Sequence, residues 1–84
     1  MVKKENLKLS DLLKGDQAVI IGFEEESTDM ERLSDMGLHI GTQFRIIKFA
    51  PLGDPIELKA RGFYLSIRKS LAKKIIIKRK QDHS

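Results

Sequence analysis

The stretch Gln43-Phe44-Arg45-Ile46-Ile47-Lys48-Phe49-Ala50 changes its apolar face halfway along. Phe44 and Ile46 share one parity, whereas Ile47 and Phe49 share the other. Side chains alternate strictly along a regular strand, so a change of parity inside one strand calls for a bulge or sharp bend. Strongly bent strands are what a very small barrel needs to close. On the C-terminal side, Pro51-Leu52-Gly53-Asp54-Pro55 is a loop of turn-forming residues. Ile56, Leu58 and Ala60 then alternate with Glu57, Lys59 and Arg61, the pattern of a half-buried strand. Arg61-Gly62 turns the chain, and Phe63, Leu65 and Ile67 make the next strand. One helical turn over 68–73 carries Leu71 and Ala72, and Lys74 to Lys78 is the last strand.

On the N-terminal side, Thr28 to Met36 reads as the one clear helix. Thr28 and Glu31 have capping-box spacing, and Met30, Leu33 and Met36 form an apolar edge. Gly37 stands where a left-handed C-cap is needed, followed by Leu38 as its apolar contact. Gln17 to Phe23 is a strand that places Val19, Ile21 and Phe23 on one face. Lys14-Gly15-Asp16 is a turn, and before it Ser10 and Asp11 cap a helical turn that buries Leu12 and Leu13. The expectation is therefore an all-β fold, a small five-stranded barrel with one short α-helix, occupying 7–78 as a single domain. Residues 1–6 and 79–84 read as flexible tails.

Eighty-four residues bound the answer to one domain with little room for an internal cavity of substrate size. There is no cysteine, hence no disulfide and no thiolate site. No apolar segment follows Met1, and the longest apolar runs, Ala18–Ile21 and Ile75–Ile77, are far short of a membrane span. The chain reads as a soluble cytoplasmic protein. Sixteen Lys and Arg against twelve Asp and Glu give a net charge of +4, with the basic residues concentrated in the last third. The histidines, His39 and His83, form no triad with a serine and an aspartate, and no phosphate-binding glycine loop is present. An enzyme and a nucleotide cofactor are thus not expected. His39 with Glu31 or Asp35 offers metal-ligand atom types, but two carboxylates on a short helix are ordinarily its wet face, so no metal site is expected. A small basic barrel that binds nucleic acid is the alternative class. It is weakened because the four Phe fall on apolar faces and leave only Tyr64 for base stacking.

Several segments in order resemble the FeoA family. Arg32-Leu33-Ser34-Asp35-Met36-Gly37-Leu38-His39-Ile40-Gly41 resembles its helix, Gly-Leu, and second Gly opening a strand. Ala50-Pro51-Leu52-Gly53-Asp54-Pro55 resembles its loop, and Gly62-Phe63-Tyr64-Leu65-Ser66-Ile67-Arg68 with Ala72 and Ile75 its closing signature. Leu9-Ser10-Asp11-Leu12 with Lys14-Gly15 resembles the family's opening. Ser66 and Leu71 depart from it, standing where Ala and often Glu are usual. The resemblance implies an SH3-like barrel without enzymatic activity that acts with FeoB, a membrane ferrous-iron transporter with a cytoplasmic G-protein domain. It thereby implies an accessory role in iron uptake, with only indirect contact to the membrane and no statement about self-association.

Partner binding by surface shape needs an apolar anchor and a charged rim. Leu52 at a hairpin tip is hard to bury and is the expected anchor. Arg32 on the helix and Arg61 in the turn are the expected rim charges, with Met36 and His39 completing the candidate set. Too few aromatics are present to line a proline-rich-peptide groove.

Overall fold

The parity shift between Ile46 and Lys48 is a bulge. Pairing of Gln43–Phe49 with Ile56–Ala60 is regular through Ile46↔Leu58, then slips so that Lys48 faces Glu57. The computed structural model describes residues 7–24 and 28–80, with 28–30 as backbone only. Its elements are β1 (Leu7–Lys8), a 3-10 turn (Leu9–Asp11), β2 (Gln17–Phe23), α1 (Thr28–Asp35), β3 (Gln43–Phe49), β4 (Ile56–Ala60), β5 (Phe63–Ile67), α2 (Lys69–Ala72) and β6 (Ile75–Arg79). The strands form one antiparallel sheet in the order β1-β6-β2-β3-β4-β5.

The expected five strands are six, because β1 adds a two-residue edge through Leu7↔Ile77 and Lys8↔Ile76. Two residues are too few to display a period of two, so the sequence pattern does not reveal such a strand. The expected single α-helix is joined by a second, α2, over the helical turn anticipated at 68–73. The last strand runs through Arg79. The readings of 1–6 and 81–84 as tails, and of a Thr28 side-chain cap, lie outside the described residues.

One buried cluster takes side chains from β2 through β6, together with Leu9, Leu12, Leu33, Leu38 and Ala72. The sheet thus lays one face against a single core. The two edge strands, β1 and β5, are not paired with each other among the described residues. Among the described residues the sheet is therefore not a closed hydrogen-bonded ring.

Two expected faces are corrected. In β2 the buried side chains are Ala18 and Ile20, while Ile21 is exposed. The register slips between Ile20 and Gly22 against β6, which flips the phase and returns Phe23 to the core. Leu13 is also exposed, because it opens a tight turn. Its N–H donates to Asp16 Oδ2 at 2.7 Å, and the Asp16 N–H donates to the Leu13 carbonyl at 2.9 Å. Leu12 alone of that pair enters the core.

Helix α1 ends as the residues require. The Leu38 N–H reaches the Leu33 carbonyl and the Gly37 N–H the Ser34 carbonyl, each at 2.9 Å, and Gly37 has φ +91°. This is the Schellman pattern, and Leu38 is buried beside Leu33 as its hydrophobic contact. At the far end of β4, Arg61 and Gly62 both take positive φ and close the two-residue hairpin Ala60↔Phe63.

Candidate functional site

The loop between β3 and β4 holds its apolar tip away from the protein. Leu52 is 96% exposed, so it does not pack against its own hairpin. Its frame is nevertheless fixed. The Ala50 N–H donates to the Pro55 carbonyl at 3.0 Å, and Asp54 Oδ1 accepts the Lys69 N–H at 2.8 Å. Asp54 Oδ2 also lies 4.0 Å from the Arg68 guanidinium. The loop is thereby tied to the start of α2.

Arg68 is shared with an open groove of about 340 Å³ lined by Arg32, Met36, Ser66, Leu71 and Lys74 among others. Helix α1 supplies Arg32 and the turn that follows it Met36, whereas β5, α2 and the residues flanking α2 supply the opposite wall. The lining contains three cations and no carboxylate. Its apolar part comes from Met36 and Leu71, which pack partly against the core. Chemically this end of the molecule offers an exposed leucine on a stiff loop next to a cationic, partly apolar groove.

The structure thus brings Arg32 and Met36 together and sets the Leu52 loop beside them. It does not bring Arg61 or His39 there. Arg61 lies past the other end of β4, about 17 Å from Ile56 at strand rise, and lines a second open groove of about 540 Å³. His39 is exposed beyond α1, with Nδ1 3.4 Å from Ser34 Oγ and its N–H donating to Thr42 Oγ1 at 3.0 Å. Among the described residues, no three His, Cys, Asp or Glu side chains gather as a metal site. No helix among them is long and apolar enough to cross a membrane.

Phe63, expected on an apolar face, is 38% exposed because it follows the hairpin turn and lies over Gly37 rather than in the core. The second groove is also lined by Gln17, Gln43, Arg45, Lys59, Tyr64 and Lys80. Sequence spacing does not single out Arg45, Lys59 and Lys80 as a group, because they are far apart in the chain and only strand register joins them.

A family model described as the FeoA domain matches residues 7–79. A "Fe(2+) transport protein A/Fe(2+) transporter FeoB fusion protein" of Porphyromonas gingivalis is 35% identical over 69 residues, 82% of this chain. The match spans only 8% of the fusion protein's length. Among solved structures, a FeoA-like protein from Clostridium acetobutylicum superposes with a TM-score of 0.86 at 35% identity, covering 98% of this chain and 95% of that one. The zinc-complexed FeoA of Stenotrophomonas maltophilia, described as a prokaryotic SH3 domain protein, superposes with a TM-score of 0.73 at 22% identity. That alignment covers 86% of this chain and 89% of the other, and it identifies the architecture here as SH3-like.

Proposed function

The chain belongs to the FeoA family, and on that premise we propose that it is a non-enzymatic accessory protein of bacterial ferrous-iron uptake that docks on the cytoplasmic part of a FeoB-like membrane transporter. Residues 7–78 act as one cytoplasmic module that reaches the membrane only through its partner. The observation that carries this reading is Leu52, fully presented to solvent on a loop tied down by Asp54. A large apolar side chain held out on a fixed frame loses little entropy on docking. The neighbouring Arg32 and Arg68 supply a rim that orients a carboxylate-bearing partner. The fusion relative joins a transport protein A segment to a FeoB transporter in one chain, which supports action of the two modules together.

Leu52→Ser tests the assignment. Because the side chain is exposed, the melting temperature should stay within about 2 °C of wild type, a surface-site effect. Binding to the transporter's cytoplasmic domain should weaken about tenfold or more, as for an interface anchor, and iron uptake should fall with it. A stable variant that binds and supports uptake normally removes Leu52 from the docking surface.

A further inference from the structure

Strand register builds a cationic row across the sheet. Gln17 faces Arg45, Arg45 faces Lys59, and Lys59 faces Tyr64, so the row crosses β2, β3, β4 and β5. All four side chains are exposed. Arg45 and Lys59 are thus like charges set directly opposite each other, an arrangement that weakens a sheet. The same two strands do the reverse past the bulge, where Lys48 faces Glu57 and their side chains approach to 4.0 Å. Among the described residues, the ion pairs with carboxylates involve Lys8, Lys48, Arg68 and Arg79; none takes in Arg45, Lys59, Arg61 or Lys80. Those four cations line one open groove of about 540 Å³ that contains no carboxylate.

We infer that this groove is a second docking site, for an extended acidic segment of a partner protein. The cations are spread rather than convergent. The Lys80 N–H donates to the Gln17 carbonyl at 2.8 Å, so Lys80 stands beyond Gln17 on the β6 side of the row. With strands about 4.8 Å apart, Lys80 to Lys59 spans three spacings, roughly 15 Å, the length of about four or five extended residues. A single phosphate calls for donors that converge on one point, which this row does not offer. A base would need an open aromatic face, and Lys59 Nζ sits 5.4 Å from the Tyr64 ring centroid, covering one side of it. An acidic peptide instead supplies a carboxylate near each cation and apolar groups for Tyr64 and Ile47. The site lies at the Arg61 end of β4 and does not rest on the docking assigned to the Leu52 end.

The test uses the full chain and a labelled peptide of about ten residues alternating Glu and Thr, long enough to span the row, against the same peptide with Gln for Glu. At low salt the acidic peptide should bind, lose affinity as salt rises, and shift the amide resonances of Arg45, Lys59, Arg61 and Tyr64. The Gln peptide should not bind. Arg45→Glu should weaken the acidic peptide about tenfold or more while keeping or raising the melting temperature, since it replaces a like pair by an opposite one. A purely structural role for Arg45 does not produce that combination. Lys59→Gln repeats the test should Arg45→Glu fold poorly, and Leu52→Ser should leave peptide affinity unchanged. The inference is overturned by no binding, by shifts that map elsewhere, or by affinity indifferent to Arg45 and Lys59. It is equally overturned by tighter binding of an oligothymidylate or of inorganic phosphate, which would make the groove a nucleic-acid or phosphate site.

Discussion

Leu58→Ala should destabilise the protein by about 3 kcal/mol, within the range for emptying a fully buried leucine site. Leu58 is 0% exposed in the middle of β4. In register it stands between Ile46 of β3 and Leu65 of β5, with Ile46 itself buried. Neighbouring strands fix the positions of these side chains, so the wall cannot collapse into the space left behind. A chain of this size has a small core and modest total stability. At roughly 4–8 °C per kcal/mol for a domain of this length, the midpoint should fall by more than about 10 °C in a thermal unfolding curve. A fall of under about 1 kcal/mol, as for a surface change, contradicts the placement of β4 as an interior strand whose Leu58 faces the core.

Gly37→Val should cost about 2 kcal/mol or more, for two separable reasons. The first is the backbone. Gly37 has φ +91°, a conformation that a β-branched residue resists. The second is space. A Cβ placed there lies 3.1 Å from Cζ of Phe63, and valine adds two methyl groups beyond it. The Phe63 ring is partly exposed and can swing aside, so the steric part is relievable and the backbone part is not. Gly37→Ala should therefore retain most of the loss. Gly22→Ala is the control, with no positive φ and its nearest new contact at 3.9 Å. It should change the denaturant midpoint little. Equal effects at the two glycines would dissolve the C-cap account of how α1 is terminated.

What the sequence disclosed follows from how far apart the informative residues lie. The β3 bulge was legible because four apolar residues, Phe44, Ile46, Ile47 and Phe49, record the slip inside one segment. The C-cap was legible because Gly37 and Leu38 follow Leu33 at fixed offsets. The β2 bulge was not. Ala18-Val19-Ile20-Ile21 is apolar at both parities, so either face satisfies it until pairing with β6 decides. That Leu52 is hard to bury could be read from its place between turn residues, and it is exposed. The grouping of Arg61 with Arg32 could not be checked from spacing. The two line different grooves, and the companions of Arg61 are residues that only cross-strand pairing reveals.

The central claim is docking on the transporter, and the most direct measurement is retention of the transporter's purified cytoplasmic domain by the immobilised full chain. It is run without nucleotide, with GDP, and with a non-hydrolysable GTP analogue. The account predicts saturable retention in at least one nucleotide state, diminished by Leu52→Ser at unchanged melting temperature. No retention in any state by a chain shown to be folded contradicts it.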